Sequence, residues 1–351
     1  MKKVLAILLT LMMSFMVLPI SAGASEHSSG VDDPKAIIFE HLGDTYGWAA
    51  PFSHSTYIPL PIIVRDYEGE WHVFSSARVE HDATYDGFKI AKDGDYKGKL
   101  VGEKADGSIY RPLDISITKN VAALFISALL VVLCVMCIYR WYKKNPLKAP
   151  RKGTAFLELI VEFVYNNVVR PTLGKKATKF GPYLLTVFFL ILIMNLLGLI
   201  VIFPGGANLT GNIAVTMVLA LFTFFITNVF GTKHYWKEVF WPDVPWWLKV
   251  PLPIMPMIEL FGLITKPAAL TVRLFANMMG GHIIVLVLTL LIFIFGAFGS
   301  AVMGVTTVIS VAFSLFMLLL DTLVSFIQAF VFTMLSALFI SMAQESHGEE
   351  V

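Results

Sequence analysis

Long apolar runs constrain this chain more than any other feature of its sequence. A helix of about 20 residues rises about 30 Å, which is the thickness of the hydrocarbon core of a bilayer. Five runs reach that length: Ile115–Tyr142, Gly181–Phe203, Asn212–Gly231, Glu259 to about Phe298, and about Val305 to Ala343. With 56% hydrophobic and 15% charged residues, the sequence predicts an all-α polytopic membrane protein with about five transmembrane helices.

The first 24 residues have the pattern of a targeting segment. Two lysines precede an apolar core over Val4–Ile20, and Ala22-Gly23-Ala24 follows it. This order is typical of a secretory signal peptide over residues 1–24, which would place Ser25 at the mature terminus outside the membrane. An uncleaved membrane anchor is the alternative.

Residues 25–114 are polar and predict an external, periplasmic N-terminal region. Short alternating runs, such as Tyr57–Arg65 and Glu70–Ser75, are separated by pairs of an acidic residue and glycine. That pattern indicates short strands joined by turns, and therefore a small β-rich region. The part between Trp48 and Arg111 has no role that the sequence assigns.

The distribution of charge predicts the orientation. Ten Lys and Arg residues and two Glu lie between Arg140 and Lys179, whereas the segment from Glu26 to Asp114 has sixteen acidic and nine basic residues. Because basic loops stay in the cytoplasm, we expect a multi-pass protein of the bacterial inner membrane. Residues 115–346 then form the membrane domain, with the mature N-terminus outside and the tail 347–351 in the cytoplasm.

Three further segments complete the predicted architecture. Thr154–Arg170 has polar residues at i+4 steps, which predicts an amphipathic helix lying at the cytoplasmic interface. Lys233–Pro256 is rich in proline and tryptophan, which predicts a connector at the cytoplasmic surface. The last two helices are long for single spans, so we expect a long tilted hairpin that turns near Gly299.

A polar stripe interrupts the fourth apolar run. Glu259, Lys266 and Arg273 are seven residues apart and Asn277 follows four later, so all four share one helical face. A charge at mid-bilayer costs roughly 3 kcal/mol. For Lys266 a snorkelling side chain at a helix end explains the sequence equally well. Arg273 has apolar turns on both sides, which favours a functional role.

A second stripe follows the last helix. Its members are Ser310, Ser314, Asp321, Ser325 and Gln328. In an antiparallel hairpin that turns near Gly299, Asp321 and His282 lie at similar depth. Histidine beside a carboxylate titrates near neutral pH and passes protons on. A polar packing contact without a transport role is the alternative for this pair.

These motifs resemble those of the a subunits of F-type ATP synthases over about Ser116 to Ser346. The matching segments are Asn195-Leu196, Asn208-Leu209-Thr210, Lys266-Pro267, Arg273–Met278, Gly281-His282 and Gln328–Phe332, with a weaker match at Phe39–Leu42. Members of the family carry a Glu and a His where this chain has His282 and Asp321, and some carry them in the reverse order.

The resemblance implies a stationary subunit that conducts protons past a rotating c-ring. Arg273 would be the fixed cation opposite the ring carboxylates and would separate two aqueous half-channels. Glu259, His282 and Asp321 would serve those channels, and Asn277 and Gln328 would solvate the surroundings of Arg273. The implied partners are the c-ring, the b-subunit peripheral stalk, the soluble catalytic head and the lipid bilayer. The subunit would not be catalytic by itself.

Other function classes fit the sequence less well. A secondary transporter would show internal repeats, and an intramembrane hydrolase would carry a metal or nucleophile motif; neither pattern is found. The scattered histidines predict no metal site, and nothing predicts a cofactor or a nucleic-acid surface. The sequence leaves open whether H⁺ or Na⁺ is the coupled ion, because the ion-binding carboxylate belongs to the ring.

Overall fold

A computed structural model describes residues 43–49, 57–79, 83–91, 96, 98–104, 108–146, 148–150, 153–200, 206–240, 254–296 and 300–344. All of them belong to one compact unit, Ile38–Val351. The predicted signal peptide, the match at Phe39–Leu42 and the tail 347–351 lie outside the described residues.

Helices dominate the C-terminal two thirds of the chain. They are α1 (Lys119–Lys144), α2 (Gly153–Val164), α3 (Arg170–Leu173), α4 (Ala177–Leu199), α5 (Ile213–Val229), α6 (Lys233–Phe240), α7 (Ile254–Gly296) and α8 (Ser300–Gln344). Within the described residues, four helical stretches are long and apolar enough to cross a membrane, and α5 is an apolar helix of slightly shorter length. The predicted all-α polytopic architecture with a small N-terminal β region is confirmed.

Several predicted boundaries differ from the structure. The stretch Gly153–Leu199 is continuously helical, because a π-helical turn (Tyr165–Val169), α3 and a 3-10 turn (Gly174–Lys176) join α2 to α4. The connector begins with a short helix, α6, since its prolines come only after residue 240. The last helix, α8, begins at Ser300 and not near Val305 as predicted, so Gly304 lies inside it.

Two prolines lie inside membrane helices without ending them. A proline removes one backbone donor from its helix. Thr186 donates its hydroxyl to the Pro182 carbonyl at 2.8 Å, and Thr271 donates to the Pro267 carbonyl at 2.9 Å. Both are bonds from a hydroxyl to the carbonyl one turn earlier in the same helix, and they do not replace the amide bond that each proline lacks.

The long hairpin of α7 and α8 organises the helical part. α8 packs along α7 and against α4, α5 packs against α7, and α1 packs against α4. The shared core is apolar and centres on α4, where Leu184, Phe188, Ile191 and Met194 are fully buried. At 43 and 45 residues, α7 and α8 far exceed the roughly 20 residues that cross a bilayer core.

In the described part of the β-rich region there are eight short strands. They are β1 (Gly47–Ala49), β2 (Tyr57–Pro59), β3 (Pro61–Arg65), β4 (Trp71–Ser75), β5 (Phe88–Ile90), β6 (Leu100–Glu103), β7 (Ile109–Tyr110) and β8 (Leu113–Asp114). They make three antiparallel sheets in the orders β1-β2, β4-β3-β8 and β5-β6-β7. We call the described part of residues 43–118 the outer module.

The outer module has its own core and a tyrosine that links its parts. Ile62, Val64, Phe88 and Leu100 are almost fully buried there. Tyr46 donates its hydroxyl to Asp114 at 2.5 Å and accepts from the Leu100 amide at 3.2 Å. Burial, and then the hydrogen bond to Asp114, raise the pKa of Tyr46 well above its ordinary range. The tyrosine is therefore a neutral donor that joins the two three-stranded sheets.

Candidate functional site

Arg273 and Asn277 lie on the outer surface of α7. Their neighbours Leu270, Leu274 and Met278, on the buried side of the helix, are 3% exposed or less, whereas Arg273 and Asn277 are exposed. The side chains of both residues therefore point away from the rest of this chain.

Arg273 lies near the centre of a 43-residue apolar helix. Within the described ranges it forms no ion pair with any side chain of its own chain. An arginine keeps its charge in a protein, and an unpaired charge in lipid is costly. This geometry therefore requires water or a partner of opposite charge outside the chain.

The other two members of the predicted stripe lie nearer the N-terminus of α7. The Lys266 ammonium is 5.7 Å from the ring centroid of Phe339 on α8, which is a cation–π geometry. Glu259 is half-buried and lies close enough to Tyr235 on α6 to act on it electrostatically. Burial raises the pKa of Tyr235, and the Glu259 carboxylate raises it further.

A small cavity lies beside Lys266, and polar side chains partly line it. Its volume is about 20 Å³, and Thr223, Thr227, Asn228 and Tyr235 contribute to its wall. The surface that the lining side chains present to the cavity is almost entirely apolar. The Tyr235 hydroxyl donates to Asn228 at 3.3 Å. Sequence reasoning missed this group, although Thr223, Thr227 and Asn228 stand out in an otherwise apolar helix.

Hydroxyl groups extend from this cavity to two further helices. Tyr183 on α4 and Thr223 on α5 are 3.0 Å apart, and Thr223 and Ser336 on α8 are 3.3 Å apart. Both distances are within hydrogen-bonding range. These hydroxyl groups therefore connect α4, α5 and α8 at the same level.

The structure places Asp321 against the residue that precedes His282. A Cβ atom built on Gly281 would lie 2.6 Å from Oδ1 of Asp321, so the carboxylate packs directly on the α7 backbone. His282 Nε2 points elsewhere, toward α4, and lies 3.7 Å from the Cβ position of Gly198. In the described part of the chain, Nε2 is buried and has no hydrogen-bond partner.

His282 and Asp321 therefore lie at the same level of the hairpin without a hydrogen bond between their side chains in this structure. The Lys119 ammonium at the start of α1 lies within electrostatic range of His282. Lys119, Gly198 and Gly281 all lie near this pair, and sequence reasoning singled out none of them for that role.

A buried polar network holds α8 beside Asp321. Thr210 donates its hydroxyl to Asn195 Oδ1 at 2.8 Å, and the Asn195 amide approaches the Ser325 carbonyl at 3.4 Å. Ser325 in turn donates to the Asp321 carbonyl at 2.7 Å. Gln328 is buried one turn further along α8. The network ties α4, the loop before α5 and α8 together at one level.

The candidate site combines titratable side chains with one fixed cation. Across the residues that the structure describes, no cluster of three or more His, Cys, Asp or Glu could bind a metal ion. The site comprises one outward-facing guanidinium, one half-buried imidazole whose buried Nε2 has no hydrogen-bond partner, and two half-buried carboxyl groups. It is suited to moving protons between residues and an external acid.

Comparison with known proteins finds relatives of the helical part. Residues 121–341 match the family described as ATP synthase A chain. The "ATP synthase subunit a" of Pelodictyon phaeoclathratiforme is 44% identical over 246 residues, which is 68% of each chain. The "ATP synthase subunit a 2" of Chlorobaculum tepidum is 45% identical over 248 residues, 68% of this chain and 67% of the relative. The "ATP synthase subunit a" of Myxococcus xanthus is 41% identical over 264 residues, 71% of this chain and 82% of the relative.

The outer module matches a different family. Residues 37–116 match one described as a domain of unknown function (DUF8433).

Proposed function

This chain belongs to the ATP synthase A chain family, and from that premise we propose that it is the proton-translocating stator subunit of a rotary F-type ATP synthase. It is a multi-pass membrane component of that complex and takes part in proton transport and ATP synthesis. We place it in the bacterial inner membrane with the outer module outside and residues 140–179 in the cytoplasm.

The observation that carries the proposal is the exposure of Arg273 at the middle of α7. A fixed cation that faces away from its own chain, at the centre of a bilayer, needs an anion on a neighbouring protein. A carboxylate on each subunit of a c-ring provides that anion, and it arrives in turn as the ring rotates.

Electrostatics gives Arg273 its role. At about 4 Å and an effective dielectric constant near 20, the guanidinium stabilises a carboxylate by roughly 4 kcal/mol. An arriving carboxylic acid therefore releases its proton near Arg273 and takes one up again after it has passed. The same positive charge repels protons and so separates the two aqueous half-channels.

We assign the two half-channels to opposite ends of the α7–α8 hairpin. His282 and Asp321 serve the channel on the side of the outer module, and Glu259 serves the channel on the cytoplasmic side. Asn277 and Gln328 solvate the surroundings of Arg273. The close packing of Asp321 on Gly281, beside His282, supports the first assignment.

The partners follow from the same role. We propose that the exposed stripe of α7 faces a c-ring, that a b-subunit peripheral stalk holds this chain still, and that the soluble head of the complex carries the catalytic sites. This chain would hydrolyse no nucleotide by itself.

Purification of the complex through an affinity tag on this chain tests the proposal. We expect an oligomeric ring and a soluble ATPase to co-purify with it, and vesicles that contain the preparation to acidify when ATP is added. A stable solitary protein that moves a solute without ATPase partners would refute the proposal and favour a secondary transporter.

A further inference from the structure

The β4-β3-β8 sheet of the outer module has an outward face that is apolar except for Arg65 and Ser75. On its inner face, Ile62, Val64 and Phe74 are 6% exposed or less. The outward face comprises the alternate residues of the same strands. The most exposed are Trp71 at 54%, Val73 at 69%, Leu113 at 57% and Ile115 at 57%.

Strand pairing brings these side chains together. Ile63 is paired with Val73, and Arg65 is paired with both Trp71 and Leu113. The ladder continues beyond β8, because the Ile115 amide donates to the Ile63 carbonyl at 3.0 Å. Side chains on one face of paired strands are neighbours, so the exposed groups form one continuous patch.

The polarity of this face is the reverse of what a water-exposed sheet needs. An antiparallel sheet with one face in a core usually presents polar residues on the other. Here Trp71 and Val73 point outward while the polar His72 lies between them on the inner side. Contiguous exposed apolar patches mark interaction surfaces.

The patch continues directly into a membrane helix. Residues 115–118 connect β8 to α1, and Thr118 caps that helix by accepting from the Val121 amide. With 26 residues, α1 is about 39 Å long, which exceeds the roughly 30 Å of a bilayer core. Its first turn therefore reaches the headgroup region, and the adjoining sheet lies at the bilayer surface.

A second connection holds the module at that surface. The Lys119 amide donates to the Thr45 carbonyl at 2.9 Å, and the Asn120 amide donates to Asp44 at 3.1 Å. Trp48 is 3% exposed and belongs to the core cluster of the membrane helices. Since the module is attached at two places, it cannot swing away from the membrane as a domain on a flexible linker would.

The side chains around the patch have the chemistry of the lipid interface. The Arg65 guanidinium is 5.9 Å from the ring centroid of Trp71, and the Lys104 ammonium is 5.7 Å from that of the exposed Tyr67. Tryptophan and tyrosine concentrate at headgroup level, where their rings meet apolar and polar surroundings together. Because Glu68 and Glu70 lie in the same turn as Tyr67, the apolar and aromatic groups, and not the local charge, favour lipid.

From these observations we propose that the outward face of the β4-β3-β8 sheet docks on lipid, at the boundary between headgroups and acyl chains of the leaflet where α1 begins. The outer module is then a peripheral membrane-binding domain as well as an extension of a transmembrane chain. This assignment does not depend on the proposed transport function.

Site-directed fluorescence in the assembled complex, reconstituted in lipid vesicles, tests the docking. The background is a complex without other reactive cysteines, in which Cys134 and Cys137 of α1 are changed to serine. In this background a Val73→Cys variant is labelled with a small fluorophore. Lys99→Cys, at an exposed turn of the same module, is the matched control. Quenchers are lipids with a nitroxide near the headgroup, and iodide in the water.

The nitroxide lipid should quench the probe at 73 at least about threefold more than the probe at 99, because a docked face lies within about 10 Å of that depth. Iodide should quench the probe at 99 more than the probe at 73. Quenching at 73 by iodide alone would overturn the proposal in favour of an exposed face. Protection from both quenchers would overturn it in favour of a protein partner. If Val73→Cys fails to assemble, Leu113→Cys on the same face replaces it.

Discussion

Gly281 and Gly280 are adjacent in α7, and only Gly281 lies against another helix. The Asp321 carboxylate occupies the space that a side chain at 281 would need, whereas a Cβ atom at 280 would meet nothing within 4 Å. Gly281→Ala must therefore displace the carboxylate or separate the two helices. Within the proposed function, we expect ATP-driven proton pumping to fall by about an order of magnitude, the energetic equivalent of roughly 1.4 kcal/mol.

Gly280→Ala is the matched control for this prediction. Both changes replace glycine by alanine in a helix interior, which by propensity alone favours the helix by about 1 kcal/mol. The difference between the two variants therefore isolates the contact with Asp321. Equal pumping rates in assembled Gly280→Ala and Gly281→Ala complexes would show that the contact has no bearing on transport.

The buried amide of Asn195 gives a second prediction for a single residue. Asn195→Leu leaves the Thr210 hydroxyl without its acceptor and removes the link to α8. Interhelical hydrogen bonds in membrane proteins contribute about 1 kcal/mol. We expect the midpoint of thermal inactivation of pumping to fall by a few degrees relative to the exposed-site control Asn166→Leu. An unchanged midpoint would assign Asn195 no stabilising role.

Among single residues, the sequence could predict those that interrupt the apolar pattern of their own helix. Arg273 and Asn277 are such residues, because a charge and an amide stand out in an apolar run. Gly198, Gly281 and Lys119 could not be found in this way. Their surroundings depend on contacts with other helices, and no periodicity within one helix reveals those contacts.

At the scale of elements, the hairpin of α7 and α8 makes a prediction about exchange. His282 and Asp321 lie at one level on facing helices, so a double exchange keeps one imidazole and one carboxyl group at that level. We expect His282→Asp with Asp321→His to retain more proton pumping than His282→Ala or Asp321→Ala alone. If the exchange performs no better than the single changes at matched assembly, the two do not act as a pair.

The types of the elements could be predicted from the sequence, but the residues at which several helices begin or end could not. Gly304, the first residues of the connector and the junction between α2 and α4 all carry signals that end helices in water. Packing overrides these signals at the junction between α2 and α4, where Val168, Val169 and Leu173 are buried, so Gly153–Leu199 is one helical stretch. α8 also includes Gly304, because a glycine inside a helix costs only about 1 kcal/mol.

The strands of the outer module could be predicted because apolar and polar residues alternate along them and turn residues bound them. Tyr57–Arg65 and Glu70–Ser75 contain β2, β3 and β4, and Asp86-Gly87 forms a turn with positive φ at both residues. The pairing of β3 with β8 was not predictable, since about fifty residues separate the two strands. That pairing is what creates the apolar outward face.

At the scale of the whole molecule, the charge distribution makes a prediction about sidedness. In intact cells, a membrane-impermeant thiol reagent should label Lys99→Cys in the outer module and spare Lys148→Cys in the basic loop. Both positions are exposed, so access depends on the side of the membrane alone. Labelling of both positions after the membrane is permeabilised is the control, and the reverse pattern in intact cells would overturn the orientation.

In the proposed function Arg273 couples proton flow to a rotating partner, and vesicles that contain the assembled complex provide the test. Arg273→Ala removes the fixed cation. Arg273→Lys keeps a charge but lacks the planar fork that pairs with a carboxylate, and a desolvated ammonium can lose its proton. Arg170→Ala, at an exposed arginine outside α7, controls for the loss of a charge elsewhere.

The measurement is ATP-driven acidification together with passive proton flux under an imposed potential. We predict that neither Arg273 variant acidifies its vesicles, that passive flux rises in Arg273→Ala because nothing then separates the half-channels, and that Arg170→Ala behaves like the parent. Normal ATP-driven acidification by assembled Arg273→Ala complexes would contradict the account.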